Sequence, residues 1–364
     1  MSLPLNGVRV LDLSRVLAGP LATMILGDLG ADVIKIERPG GGDETRGWGP
    51  PFDDRRESAY FLSCNRNKLG VAADLDAPAD QAFIRSLIAD ADLVVDNFKP
   101  GTLERRGLDP AALVAAHPSL IWCTMTGFGA DSTRPGYDYV VQAEAGWMSI
   151  SGEVDGSPMK AGVALADVMA GRDIAITLLA ALAGKALGNS VERRLFVSLY
   201  HTAVSALANV AQNALVSGKE AKRWGNAHAN LVPYELFPAA DRPIVIAVGS
   251  DAQFAALVTA IDLPELAAER FRTNAGRLEH RTELVAALRE RLVTAPAATW
   301  TARLDAAGVP NGVVRTVLEA LADVQASPLT GVAPLAPATV RRAPPLLDEH
   351  GPLVRRLGWA AARG

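Results

Sequence analysis

Apolar positions along this 364-residue chain switch between a period of two and a period of three to four, and the switches outline its elements. Residues 8–13 read as a short strand, residues 20–29 as a helix with Leu21, Met24, Ile25 and Leu29 on one face, and residues 31–37 as a second strand. That is a βαβ unit, whose strands are by default parallel, with ligands at their carboxyl ends. The turn Ser14-Arg15-Val16-Leu17-Ala18-Gly19 and the segment Glu37-Arg38-Pro39-Gly40 then share the rim of one crevice. Further strands are predicted at 69–72, 92–96, 120–125 and 193–199, with helices at 78–88 and 200–216. The polar run 219–226 breaks the pattern and is the best linker candidate. Beyond it, 234–237 and 243–248 read as a hairpin turning at Ala240-Asp241-Arg242, and Ser250 or Asp251 caps a helix running to about Ile261. Helices at 281–292 and 299–307 lead to 308–314, which returns the chain toward a strand. From Pro328 onward periodicity is weak, and no internal repeat or low-complexity tract occurs.

The segment 161–171 holds Asp167 as a single acid among small and apolar residues, just ahead of the apolar run 174–186. Two readings stand. As a helix N-cap, the carboxylate accepts a backbone N–H and stabilises the helix start by roughly 1 kcal/mol. Alternatively the same N–H groups and the helix dipole keep a half-buried carboxylate ionised and aimed into a cleft, as a nucleophile requires.

Length predicts two domains rather than one core. Lys and Arg number 36 against 40 Asp and Glu, a formal net charge of −4 with no long basic run, so nucleic acid is not an expected partner. Cys64 and Cys123 lack metal-ligand spacing, and His117, His201, His228, His280 and His350 form no pair at helical metal-binding distance; no metal is expected, and a reducing compartment fits. The N-terminus lacks a secretory signal pattern, and residues 174–187 fall short of the roughly 20 a bilayer crossing needs. A cytoplasmic protein without a membrane partner is expected.

The first turn offers Ala18-Gly19-Pro20 in place of G-x-G-x-x-G, which disfavours a dinucleotide enzyme. Residues 39–49 form a Gly-rich loop. Arg66 with Lys68, and Lys99 with Arg105 and Arg106, are expected near the rim that already holds Arg15 and Arg38. Cations at successive strand ends suit a ligand with several phosphates.

These motifs, together with 27–37, 65–68, Asn97-Phe98-Lys99-Pro100-Gly101, Gly136-Tyr137-Asp138, Ala166-Asp167 and 225–234, resemble the class III CoA-transferases over nearly the whole chain. The resemblance implies an α/β fold: a Rossmann-like large domain with a parallel sheet (1–200 and 325–364), a linker (201–224), a smaller α+β domain (225–310) and a return linker (311–324), in an interlocked homodimer. It implies Asp167 as the nucleophile, with Asp138 near the site where formyl-CoA transferases carry a glutamate. Coenzyme A or acyl-CoA would be the substrate, with no permanently bound cofactor, held by Arg15, Val16, Leu17, Ala18, Arg38, Lys68, Asn97, Phe98 and Arg105. Tyr137, Asn226, His228 and Asn230 would belong to the substrate loops. Leu17 replaces a glutamine, and His228-Ala229-Asn230-Leu231 a tetraglycine loop, of formyl-CoA transferases, so larger dicarboxylates are expected. The α-methylacyl-CoA racemases of the same superfamily carry a histidine where this chain has Tyr137, and a phenol is a poor base near neutral pH. A catalytically silent CoA-binding protein would keep the cations and form no covalent adduct.

Overall fold

In the computed structural model, which describes residues 2–363, six apolar runs form one parallel sheet. Its strands are β1 (Arg9–Asp12), β2 (Asp32–Glu37), β3 (Lys68–Ala72), β4 (Leu93–Asp96), β5 (Ile121–Thr126) and β6 (Arg194–Ser198). They lie in the order β3-β2-β1-β4-β5-β6, so the winding reverses between β1 and β4. Strands buried on both faces need continuous apolar runs, and the pleat sends alternate residues to two cores. Val10, Val33, Leu93 and Ile121 face one core; Leu11, Ile34, Val94 and Trp122 face the other.

The principal helices around the sheet are α1 (Ala18–Asp28), α2 (Pro78–Ala89), α3 (Pro110–Ala116), α4 (Asp138–Glu144), α5 (Leu165–Ala186), α6 (Leu199–Ser205) and α7 (Ala208–Ser217). Helices α1 and α5 approach closely: a Cβ on Gly171 would lie 2.7 Å from the Ala18 carbonyl oxygen, so only glycine fits there. The helix expected over 200–216 is two helices. Leu207 N–H bonds the Val204 carbonyl, Val210 N–H bonds the Leu207 carbonyl, and Ala208 takes φ 46° between them, a break that no Gly or Pro marks.

Residues 324 onward belong to the same compact unit as the sheet, which comprises the chain through Trp147, Lys160–Lys219 and the segment from Val324. Asn67 Oδ1 accepts from Arg341 N (2.6 Å) and Arg342 N (2.8 Å), Arg66 Nη1 donates to the carbonyls of Thr330 and Val332, and Trp359 Nε1 donates to the Leu87 carbonyl (3.0 Å).

The second unit, Met148–Met159 and Glu220–Asp323, has an antiparallel sheet of β7 (Tyr234–Phe237), β8 (Ile244–Ala247) and β9 (Asn311–Val313). The hairpin and returning strand read from the sequence are both present. Its helices α8 (Asp251–Ala260), α9 (Arg281–Leu292) and α10 (Ala297–Ala306) bury Leu257, Leu284, Leu288 and Trp300 against Phe237 and Ile246, and Ser250 caps α8 by accepting from Gln253 N. No helix among the described residues is long and apolar enough to cross a membrane.

Candidate active site

β1 delivers the chain into a turn packed so closely that a Cβ on Gly19 would lie 2.4 Å from the Ser14 side chain. Within it Val16 takes φ 73°, a left-handed conformation that a β-branched residue adopts only under compulsion. Its N–H donates to the Asp43 carboxylate (3.2 and 3.3 Å). Asp43 also accepts from Thr45 N (3.1 Å), Thr45 Oγ1 (2.8 Å) and Lys35 Nζ (3.2 Å), and Lys35 Nζ donates to the Ser14 carbonyl (2.8 Å). Asp12, at the end of β1, accepts from Ser14 N (2.9 Å), Ser14 Oγ, Thr23 Oγ1 (2.7 Å) and Lys68 Nζ (2.9 Å). Asn97 clamps the next residue from across the switch point, accepting from Arg15 N (3.0 Å) and donating to Arg15 O (2.8 Å).

Asp12, Lys35, Asp43 and Lys68 are buried charges that neutralise one another. Burial alone would raise the Asp12 carboxyl, but Lys68 and Lys35 hold it far below the carboxylate range. Burial likewise opposes the charge on Lys35, and Asp12 and Asp43 more than offset it, holding its ammonium above the ordinary range.

This geometry corrects part of the expected cation rim. Lys68 is not at the rim: its Nζ is spent inside on Asp12, the Pro20 carbonyl (2.8 Å) and Asn65 Oδ1 (2.9 Å). Arg66 is buried on Asp28 (2.6 Å) and the returning C-terminal segment. Neither partner was legible locally, since Asp12 lies 56 residues from Lys68 and Asp28 lies 38 from Arg66. Arg15, Arg38 and Arg106 line a cavity of about 230 Å³ at the carboxyl ends of the central strands, together with Glu37, Asp43, Asp74 and Asp76, with Leu75 and Phe98 supplying apolar wall; Arg15 pairs with Glu44 (3.3 Å) and Arg106 with Asp76 (2.8 Å). Arg15 stacks over the Phe98 ring at 5.4 Å, and Asp96 Oδ1 fixes Phe98 by accepting its N–H (2.9 Å). Arg105 is exposed and does not line this cavity, whereas Arg106 does.

Asp167 is in the first turn of α5, but it is not the cap. The helix starts after Ala164 with no cap from its own segment; Asp138, at the start of α4, accepts from Ala166 N (2.8 Å) and Asp167 N (3.3 Å). Gln142 Nε2 donates to the other Asp138 oxygen (2.7 Å), and its Oε1 accepts from Ala161 N (2.8 Å), tying the approach segment to α4. The Asp167 carboxylate itself accepts no hydrogen bond among the described residues. Burial, and then the charge of Asp138, push its carboxyl up to about 7. The helix start therefore does not keep Asp167 strongly ionised, contrary to the sequence reading; low dielectric and a like charge prevail. Asp167 shares a helix face with Gly171 four residues on, the residue pressed against the start of α1.

Sequence reasoning missed Tyr60, in the four-residue helix Ala59–Leu62, too short to show a period. Burial, then Asp167, push its phenol up to about 12, and Asp138 adds to this, so the hydroxyl stays protonated within the field of both carboxylates. Trp48 packs edge-on against its ring at 5.1 Å. The only local signal was Ser58, which caps that helix by accepting from Phe61 N. Tyr137, just ahead of α4, is 59% exposed.

Asn226, His228 and Asn230 belong to the second unit. His228 Nδ1 accepts from Asn230 N (3.0 Å), the His228 backbone N–H donates to the Tyr234 carbonyl (2.8 Å), and Asn274 Nδ2 donates to Asn230 O (2.9 Å). Asn226 lines a separate cavity of about 870 Å³ in that unit, with Trp224, Arg281 and Arg289. No group of metal-ligating side chains occurs among the described residues.

A doubly wound sheet with its cavity at the switch point, and a half-buried acid raised in pKa on a helix start, define an α/β protein with a candidate nucleophile. The sequence profile described as CoA-transferase family III matches residues 5–351. The chain belongs to that family and is a CoA-transferase. Succinyl-CoA:glutarate CoA-transferase of Mus musculus is 42% identical over 328 residues, covering 88% of this chain and 74% of its own. Succinate–glutarate CoA-transferase of Agrobacterium fabrum is 41% identical over 338 residues, covering 88% and 82%. The crystal structure of a CAIB/BAIF family protein from Brucella suis matches with a TM-score of 0.87 at 38% identity, covering 98% of this chain and 99% of its own.

Proposed function

We propose that this protein moves CoA from a succinyl-CoA-type donor to a dicarboxylic acid acceptor, with Asp167 as the covalent nucleophile. The observation that carries the reading is Asp167 itself. It is a half-buried carboxylate that no donor among the described residues ties down, made more basic by burial and by Asp138, in a chain whose relatives are named for succinyl-CoA and glutarate. A carboxylate stripped of hydration is a better nucleophile than one in water, and the chemistry needs no separate base.

In this mechanism an Asp167 carboxylate oxygen attacks the thioester carbonyl, the C–S bond breaks, and CoA leaves as a thiolate. The thiolate attacks the Asp167 carbonyl of the mixed anhydride, releasing the donor acid and forming an aspartyl-CoA thioester. The acceptor carboxylate attacks that thioester, and the thiolate returns to the acceptor's acyl carbon, freeing Asp167. Arg15, Arg38, Phe98 and Arg106 around the cavity at the sheet's carboxyl ends would hold the nucleotide end of CoA, and the turn Val16-Leu17-Ala18 its thioester arm. Asp138 orients Asp167 through the backbone of α5. The resemblance assigns Tyr137, Asn226, His228 and Asn230 to the acyl end, and a homodimer as the working form.

The test treats the protein with succinyl-CoA without acceptor, followed by denaturation and intact-mass measurement. A mass increase equal to CoA less water, mapped to Asp167 and absent from Asp167→Asn, is expected. No adduct across a panel of dicarboxyl-CoA donors would overturn the reading. Exchange of the substrate α-proton with deuterated water in the absence of acceptor would replace it with racemisation.

A further inference from the structure

The most strained residue near the site is held by a carboxylate that borders the same cavity yet is itself shielded from solvent. Val16 is at φ 73°, and its only backbone donor is committed to Asp43. A β-branched residue in the left-handed region persists only where its surroundings over-determine it, and such strain collects at functional sites. Asp43 is fixed from behind by the Lys35 ammonium and from the side by both donors of Thr45, and Lys35 also grips the Ser14 carbonyl at the start of the same turn. Burial alone would raise the Asp43 carboxyl, but Lys35 and Thr45 hold it below the ordinary range. Its side chain and that of Lys35 are wholly shielded from solvent. The neighbouring clamps act on other residues: Asn97 on Arg15, and Asp12 on Ser14. Released from Asp43, Val16 would relax toward negative φ and re-aim Arg15 on one side and Leu17-Ala18 on the other.

We propose that Asp43, anchored by Lys35, is a positioning residue that holds Val16 in its left-handed conformation and thereby pre-forms the turn that seats the acyl-CoA. The proposal rests on the CoA seat argued above. Pre-forming matters because ordering a loop at the moment of binding weakens affinity by the free energy of that ordering.

The test compares wild type, Asp43→Asn, the double variant Val16→Gly/Asp43→Asn and Arg38→Ala, measuring free CoA affinity by calorimetry and KM and kcat for succinyl-CoA. Asparagine keeps the shape of Asp43 but turns a donor toward either Lys35 or the Val16 N–H. Asp43→Asn is expected to weaken CoA binding and raise KM by about tenfold, with a smaller change in kcat. Glycine takes the left-handed conformation without strain, so the double variant should recover to within about threefold of wild type. A purely structural role for Asp43 would lower the melting temperature without a loss of affinity that Val16→Gly repairs. Equal losses in the single and double variants would overturn the proposal. Unchanged affinity in Asp43→Asn alongside weakened binding in Arg38→Ala would overturn it while leaving the CoA seat standing; unchanged affinity in both would overturn the seat itself. If Asp43→Asn does not fold, Thr45→Val takes its place. It removes one neutral hydrogen bond to Asp43, and a KM rise of about threefold, erased by Val16→Gly, is expected; no rise would refute the role.

Discussion

Replacing Asp167 by Asn should stabilise the folded protein in a pH-dependent manner while abolishing CoA transfer. The carboxyl moves from its ordinary 3.8 to about 7 because burial and Asp138 disfavour its charge. Between those values the folded state retains a proton that the unfolded chain has released, so stability falls as pH rises through the window. Without screening the full displacement would amount to about 4 kcal/mol above pH 7. Asp167 is partly exposed, and water reduces this to roughly 2 kcal/mol. Asparagine avoids the loss and leaves the backbone N–H of residue 167 on Asp138. Thermal unfolding of both proteins at pH 4.5 and pH 8.5 reads the effect. Melting temperatures should nearly coincide at the lower pH, and the variant should melt higher by about 3–4 °C at the upper one. A difference that does not change with pH, or a variant that is less stable at pH 8.5, would refute the electrostatic account of Asp167.

Asp138→Ala should destabilise the start of α5 by about 1–2 kcal/mol, because Ala166 and Asp167 lose their N–H acceptor. With that charge gone, the rising limb of kcat/KM against pH should shift below 7, and a limb that stays put would separate Asp138 from Asp167. Arg106→Ala should weaken CoA binding by about tenfold and flatten its salt dependence, checked by titration at two ionic strengths. Sedimentation should give twice the 38.3 kDa chain mass. None of the residues of α7 is buried, and Leu215 and Val216 are each 78% exposed, so Leu215→Glu should lower dimer stability; a monomer at all concentrations would count against the homodimer.

Local pattern revealed the strands because a parallel strand buried on both faces carries consecutive apolar residues, as Val33-Ile34 in β2, Leu93-Val94-Val95 in β4 and Ile121-Trp122-Cys123 in β5 do. It revealed the hairpin of the second unit through its turn residues, and α8 through Ser250. What it missed was pairing at a distance. Lys68 looks like any strand-end cation until Asp12 is folded beside it, and Asp167 looks like a cap until Asp138, from another helix, takes over that role. The break between α6 and α7 had no marker at all in the sequence. The resemblance to the family supplied the importance of Asp167; the fold shows why its carboxyl is as basic as it is.

The return of the chain to its first sheet has a consequence for biosynthesis. Residues 220–323 leave the ribosome before the segment from Val324 onward, so the core around Phe237 and Trp300 is complete in sequence while Asn67 still waits for the amides of Arg341 and Arg342. Until Trp359 arrives to donate to Leu87, the core containing Ile84, Leu87 and Val71 lacks part of its cover. The second unit is therefore able to mature first and the first-made unit to finish last, with part of its apolar core uncovered until the segment from Val324 has emerged.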